Sequence, residues 1–190
     1  MNIGIDIDGV LQDTEQWFEA YANIYDHEIG GNGIVNPDSY KFTGKYAWTE
    51  DQFMVFLDKY MYMCMENAQI MPGAKEILAK LQAEGHKLFV ITARGINFER
   101  EETIALKFLD KLGVKFESVH FKSRDKVPPC VDNQIDYMID DAPFNIENLS
   151  NNGVKCLYFR SSIAKDINHP NVTDVYNWGE VYRFFQNVNK

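Results

Sequence analysis

The segment IDIDGV at residues 5–10 puts two carboxylates, Asp6 and Asp8, two positions apart. In an extended strand Ile3, Ile5 and Ile7 point to one face, and Gly4, Asp6 and Asp8 to the other. Two neighbouring carboxylates on a covered sheet face are costly to desolvate and repel each other. Such a pair implies a cation or a chemical use, unless the strand stops early and both aspartates cap the turn at Gly9. Asp140 and Asp141 form a second acidic pair at the end of YMIDD. Thr92, Ala93 and Arg94 close LFVITAR, and Lys126 follows shortly after SVHF. Each has an ordinary explanation: a helix cap for Thr92, a solvated surface lysine for Lys126, a turn for Asp140–Asp141. Gathered at one place, four carboxylates, a hydroxyl, a lysine and an arginine are the equipment for acid–base, nucleophilic or metal-assisted chemistry on an anionic group.

The surrounding elements would gather them. From about residue 70 onward strand and helix patterns alternate. A helix over 73–84 opens after Pro72 and closes at Gly85, with Ile77, Leu78 and Leu81 at helical spacing. KLFVIT at 87–92 is a short continuous apolar run that reads as a buried strand. A helix over 98–112 carries Ile104, Phe108, Leu109 and Leu112 on one side and stops at Gly113. SVHF, YMI and CLYF are further strands, with a short helix over 143–149, and Asn2 to Asp8 is the first strand. Alternation of this kind predicts an α/β fold with a doubly wound, Rossmann-like parallel sheet. Ligands of such sheets bind beyond the carboxyl ends of the strands, where all of these residues fall.

Residues 14–68 break the rhythm with two helical stretches and no strand. Asp13 and Gln16 form an approximate capping box for the first helix, and Thr49 and Gln52 one for the second. A Gly/Asn-rich loop from Gly30 to Gly44 lies between them. The stripe Phe53, Phe56, Leu57, Tyr60, Met61 and Cys64 is the packing face of an amphipathic helix. The expected organisation is a core domain of residues 1–13 and 69–190, with a helical cap of residues 14–68 inserted after the first strand.

IDIDGV, ITAR, Lys126 and IDDAPFNIENL resemble the four ordered motifs of the haloacid dehalogenase superfamily. Within it the chain is most similar to small 5′(3′)-deoxyribonucleotidase-like phosphatases, over residues 1–13 and about 70–160. The resemblance implies a Mg²⁺-dependent phosphomonoesterase acting on a nucleoside monophosphate or similar small phosphate ester. Asp6 would be the nucleophile that forms an aspartyl-phosphate, and Asp8 would protonate the leaving oxygen and then deprotonate water. It further implies a metal held by an Asp6 oxygen, the Asp8 backbone carbonyl and one of Asp140 and Asp141. Asp141 is favoured as the direct ligand, with Asp140 behind it. Thr92 and the Ala93 amide would bind phosphoryl oxygens, and Lys126, rather than Lys122, would neutralise their charge. Arg94 would either contact substrate or form a structural ion pair. Asn145 would either orient the metal ligand or be an ordinary helix residue. Like charge and burial should raise the pKa of Asp8. The family's base-stacking aromatic residue after the first motif has no counterpart in Leu11-Gln12-Asp13-Thr14; Trp17, Phe18, Tyr46 and Trp48 are the aromatics that would have to replace it.

Two other functions use similar residues: a signalling or binding module phosphorylated on aspartate, and a phosphotransferase with an acceptor other than water. Asp8 favours hydrolysis over the first, because a receiver needs no general acid two residues beyond its acceptor. Carbon-centred dehalogenation needs no second acidic pair. Composition narrows the field further. Hydrophobic residues make up 45% and charged residues 25% of 190 residues, ordinary globular values. A net charge of −9 opposes nonspecific binding to a nucleic acid polymer or an acidic membrane, so an anionic substrate must meet local positive charge. No apolar run reaches the roughly 20 residues of a membrane span, and MNIGIDIDGV does not read as a signal peptide. Cys64, Cys130 and Cys156, odd in number and without close spacing, suit a reducing cytoplasmic setting. The histidines lack zinc-like spacing, the glycines form no dinucleotide fingerprint, and no pattern specifies an oligomeric state.

Overall fold

The structure, a computed structural model, describes residues 1–160 and 165–188. Residues 161–164 and 189–190, which the expected core domain includes, lie outside the described residues. The chain begins with β1 (Asn2–Ile5), α1 (Thr14–Glu28), α2 (Phe42–Lys45) and α3 (Glu50–Asn67). It continues through α4 (Ala74–Ala83), β2 (Lys87–Ile91), α5 (Arg100–Leu112), β3 (Ser118–His120) and α6 (Val127–Asp132). It ends with β4 (Tyr137–Asp140), α7 (Pro143–Asn151), β5 (Cys156–Phe159), β6 (Val172–Val175) and α8 (Trp178–Val188).

The six strands form one parallel sheet in the order β3-β2-β1-β4-β5-β6. The order reverses at β1, so the carboxyl end of β1 is the switch point at which doubly wound sheets place their ligands. Ile3, Ile5 and Ile7 are fully buried among apolar residues of α4, α5 and α8. On the opposite face Met138, Ile146, Leu149, Cys156 and Tyr158 pack with Cys130 beneath α6 and α7. Gly4 faces that second layer, where a β-carbon would meet the Met138 sulfur at 2.7 Å. Helices therefore cover both faces of the sheet, as the alternation predicts.

The first strand is shorter than the alternation suggests. It ends at Ile5, although the Asp6 N–H still donates to the Ile139 carbonyl at 3.0 Å. Beyond it the Ile7 carbonyl accepts from the amides of Leu11 and Gln12, curling the chain into a turn closed by Gly9 at φ 71°. The carboxylates thus lie beyond the end of the strand rather than on the face of the sheet. β6 and α8 are elements the sequence reading did not assign. In α8, Trp178, Val181 and Phe185 are buried at helical spacing, and the Trp178 indole donates to the Val10 carbonyl at 2.8 Å.

Residues 11–13 run beside residues 69–71, so the chain leaves and rejoins the sheet layer at one place. The Asp13 amide donates to the Gln69 carbonyl and the Met71 amide to the Leu11 carbonyl, both at 2.9 Å. This crossing occupies Asp13, whose side chain makes no cap bond; the expected capping box with Gln16 does not form. Thr49 and Gln52 do form theirs, with both reciprocal bonds in place. Helices α1–α3 enclose an aromatic cluster of Tyr25, Tyr46, Trp48, Phe56 and Tyr60, with Met61 and Cys64 from the stripe on α3. The three cysteines are free and buried, and among the described residues no helix is long and apolar enough to cross a membrane.

Candidate active site

The loop after β1 delivers Asp6 against the carboxyl end of β4, which carries Asp140 and Asp141. Lys126 at the start of α6 reaches both strands. Its ammonium, almost wholly buried, donates to Asp140 Oδ2 at 2.5 Å and lies 3.0 Å from Asp6 Oδ2. Lys122, the alternative cation, pairs instead with Glu102 in an exposed bridge at 3.1 Å. Asp140 is fully engaged. The Ala142 amide donates to its Oδ1 at 2.9 Å, and the Asn145 side chain donates to both oxygens at 3.1 Å.

Asp6 and Asp141 are less well supplied. Asp6 Oδ1 is buried and makes no hydrogen bond among the described residues. Burial pushes the Asp6 carboxyl up to about 7, with the Asp140 and Asp8 charges adding to the rise and Lys126 opposing it. Burial and the neighbouring Asp140 and Asp6 charges hold Asp141 well above the usual carboxylate range. Among the described residues its one hydrogen-bond donor is the Tyr40 hydroxyl, 3.0 Å from Oδ2. Oxygens of Asp6, Asp140 and Asp141 lie within 4.8 Å of one another. One lysine cannot neutralise three carboxylates, and a buried oxygen without a donor needs a partner. The donor set is all oxygen, which fits a hard dication such as Mg²⁺. Gly9 makes the close approach possible, since a β-carbon there would collide with the Asp141 carboxylate.

Asp8 departs from the expected environment. Arg94 grips it with two bonds, Nε to Oδ2 at 2.9 Å and Nη2 to Oδ1 at 2.7 Å. Burial pushes the Asp8 carboxyl up, but the charge and bonds of the guanidinium, with the Thr14 hydroxyl, bring it below its ordinary value. The expected rise is therefore corrected: a buried arginine, with the Thr14 hydroxyl and the charge of Lys126, outweighs desolvation. Arg94 also donates to Gln12 Oε1 at 2.7 Å, and the Gln12 amide donates to the carbonyls of Met65 and Ala68 at 2.7 and 2.8 Å. Of the two roles open to Arg94, the structure shows the ion pair. Asn145 likewise bonds Asp140.

Two cavities meet at Asp8 and Tyr40. The larger, about 510 Å³, has Asp6, Thr92, Ala93, Lys126 and Asn145 on its walls, with Ser123 and Arg124 at its side. The second, about 230 Å³, lies between Asp8, Gly9 and Asp141 on one side and Phe18, Phe42 and Met65 on the other. Of the four aromatics considered for base contact, only Phe18 borders this second cavity. Tyr46 and Trp48 are buried in the helical cluster, and Trp17 stacks with Tyr21. The sequence reading missed Tyr40, Phe42 and Lys45, which come from the Gly/Asn-rich loop and its short helix. Only a Lys-rich, aromatic composition (SYKFTGKY) marked that segment.

The sequence model of the family described as "5' nucleotidase, deoxy (Pyrimidine), cytosolic type C protein" matches residues 1–189. A nucleotidase of Clostridium acetobutylicum is 26% identical over 184 residues, covering 96% of this chain and 92% of the relative. A candidate 5′(3′)-deoxyribonucleotidase of Chlorobaculum tepidum is also 26% identical, over 95% of this chain and 87% of its own length. Among solved structures, a haloacid dehalogenase-like hydrolase of Streptococcus pneumoniae superposes with a TM-score of 0.66 at 17% identity, covering 97% of this chain and 98% of that one. A candidate β-phosphoglucomutase of Thermotoga maritima gives 0.65 at 15% identity, covering 98% and 99%. These structural likenesses establish the haloacid dehalogenase-type fold.

Proposed function

The chain belongs to the cytosolic type C 5′ nucleotidase, deoxy (pyrimidine), family and is a phosphoric monoester hydrolase; from that premise we propose that it hydrolyses nucleoside monophosphates through a phosphorylated Asp6, with Mg²⁺ as cofactor. The observation that carries this reading is the bare, buried Oδ1 of Asp6, whose other oxygen lies beside Lys126 on the wall of a cavity shared with Thr92 and Ala93.

In the first half-reaction an Asp6 oxygen attacks phosphorus and the bond to the ester oxygen breaks. That oxygen takes the proton of Asp8 and leaves as an alcohol. The ionised Asp8 then draws a proton from water, whose oxygen attacks the phosphoryl group and releases the Asp6 carboxylate with inorganic phosphate. Held by Arg94, Asp8 rests in the ionised form that the second half requires. A phosphate ester settling beside it raises its proton affinity, so that Asp8 takes up a proton from solvent before the first half and returns one to solvent after the second. The Thr92 hydroxyl and Ala93 amide bind phosphoryl oxygens, and Lys126 offsets the charge that gathers as Asp6 attacks. Asp6, the Asp8 backbone carbonyl and Asp141 would hold Mg²⁺, while Asp140, occupied by Lys126 and Asn145, would anchor Lys126. Bound there, the dication supplies Lewis-acid polarisation of the phosphoryl oxygens and relieves repulsion among the carboxylates. Residues 14–68 serve as the cap that selects the leaving group, and residues 1–13 with 69–190 as the catalytic core.

The test is phosphate release from nucleoside and deoxynucleoside monophosphates, sugar phosphates and an activated aryl phosphate, with and without Mg²⁺. Nucleotides should be preferred and release should require the metal; preference for a sugar phosphate would overturn the nucleotide assignment. Asp141→Asn should raise the Mg²⁺ concentration for half-maximal rate by about 100-fold, in the range by which metal-site changes weaken binding. An unchanged Mg²⁺ dependence would remove Asp141 from the ligand set.

A further inference from the structure

Asp8 delivers a proton in one half-reaction and collects one in the other, so the direction of its carboxylate matters as much as its charge. Its side chain is 37% exposed and borders both cavities, whereas Arg94 and Gln12 are buried and line neither. The Arg94 guanidinium has few anchors. Its Nη1 is buried without a partner among the described residues, and its Nε donates to Asp8 Oδ2. Its Nη2 divides two hydrogens between Asp8 Oδ1 and Gln12 Oε1, each at 2.7 Å. Among the described residues, Gln12 is the one side chain besides Asp8 that this guanidinium bonds.

Gln12 is itself held from both ends. Its side-chain nitrogen donates to the carbonyls of Met65 and Ala68 at 2.7 and 2.8 Å, where α3 finishes. Its backbone amide donates to the Ile7 carbonyl at 2.9 Å, and its carbonyl accepts from the Gly9 amide at 3.0 Å. A flipped side-chain amide would set its nitrogen against Arg94 and leave both carbonyls unmet, so Oε1 is committed to the guanidinium. The ordinary explanation for Gln12 is a cap for carbonyls that the end of a helix leaves unpaired. That accounts for the nitrogen. It does not account for the oxygen, which completes a chain of short bonds from α3 through Gln12 and Arg94 to Asp8.

We propose that Gln12 is a positioning residue of the hydrolytic reaction: by fixing the Arg94 guanidinium it aims the Asp8 carboxylate for proton transfer. The assignment rests on the reading of Asp8 as acid and base given above, and adds to it a residue that borders neither cavity. A small misplacement of a reacting group is enough to cost about 100-fold in rate.

The two half-reactions separate this role from a structural one. A leaving group that is stable as an anion needs no proton from Asp8, but in the second half the attacking water gives its proton to Asp8 whatever the ester. Gln12→Met keeps length and apolar volume and removes the acceptor. With p-nitrophenyl phosphate and Mg²⁺, rapid mixing should show about one nitrophenolate per protein released at the wild-type rate, then turnover about 100-fold slower than wild type. With a deoxynucleoside monophosphate, whose alkoxide needs the proton, both halves should slow and no burst should precede turnover. Gln12→Glu keeps an acceptor for Arg94 but loses the donors to α3. It should melt lower than the wild type and still turn over within a few-fold of it. Equal slowing of both halves with the aryl ester, native turnover in folded Gln12→Met, or rates in the two variants that simply follow their melting temperatures would make Gln12 a helix cap alone and overturn the proposal. If Gln12→Met does not fold, Gln12→Glu decides: a retained rate at a lowered melting temperature supports the assignment, and a loss of about 100-fold overturns it. Wild-type turnover by Asp8→Asn, or no phosphate released by the wild type, would instead overturn the reading of Asp8 itself.

Discussion

Asp6→Asn is expected to lower kcat by at least about 10⁴-fold, because a carboxamide cannot form the phosphorylated intermediate. In barrier height that is about 5.5 kcal/mol. The same change should leave the metal-free protein as stable as the wild type or more stable. The Asp6 carboxyl is buried, has an oxygen without a partner, and is pushed up to about 7 by burial and the charges of Asp140 and Asp8. A neutral amide relieves that repulsion, and its oxygen can still accept from Lys126, 3.0 Å from Asp6 Oδ2 in the native site. Loss of activity with retained or increased melting temperature is the signature of a group kept for chemistry at a cost in stability. Thermal melts without metal and steady-state rates with Mg²⁺ measure the two halves. A folded Asp6→Asn protein with near-native turnover would remove Asp6 as nucleophile.

Lys126→Met is expected to lower both stability and activity. The ammonium is nearly inaccessible and holds Asp140 at 2.5 Å and Asp6 at 3.0 Å. Removing it leaves two buried carboxylates without their cation, a loss of about 3–5 kcal/mol. For a domain of this size that lowers the melting temperature on the order of 10 °C. Asn145 and the Ala142 amide still donate to Asp140, so the fold itself should survive. Mg²⁺ should restore part of the loss, because a dication binding only the folded state adds stability by mass action. The rate should fall by about 10²–10³-fold even with saturating Mg²⁺, as for removal of one electrostatic contact to a reacting group. A variant with native stability would show that Lys126 is not the counter-ion of this cluster. One with native rate would show that the phosphoryl group does not use it.

How much of this the sequence discloses depends on whether the deciding contacts are local. Ile3, Ile5 and Ile7 alternate with Gly4, Asp6 and Asp8, so β1 and its pair of carboxylates are legible from ten residues, whereas its place at the switch point depends on the strand order. The point at which β1 ends is not legible there either, because it depends on the bonds of Leu11 and Gln12 back to Ile7. Thr49 and Gln52 show their capping box because the partners are three residues apart. Asp13 looks alike but is claimed by Gln69, which no local pattern reveals. α8 was within reach: Trp178, Val181 and Phe185 keep helical spacing, and only the short, half-exposed β6 before it obscured the unit.

The site divides in the same way. Asp6, Asp140, Thr92 and Lys126 lie at or just beyond strand ends, where parallel-sheet topology gathers chemistry-bearing residues whatever their distance in sequence. The electrostatics of Asp8 were misjudged because Arg94, 86 residues away, supplies a bidentate partner whose orientation only the tertiary structure fixes. Tyr40 and Lys45 come from a loop whose path across the site depends on the packing of α1 and α3, so nothing in their own neighbourhood marks them as cavity residues. The cap cavity was therefore the least legible part of the molecule, and it is also where the leaving group would be chosen.

In the proposed reaction a phosphoryl group passes through Asp6. That passage is tested most directly by rapid acid quench of Asp8→Asn turning over an activated aryl phosphate with Mg²⁺, followed by peptide mass spectrometry. Without its base the variant should hydrolyse the intermediate slowly, so the peptide containing Asp6 should gain the mass of one phosphoryl group in near-stoichiometric amount. Metal removal should abolish that gain. Turnover of the ester with no phosphoryl group on that peptide at any quench time, or with the group on another residue, would contradict the account.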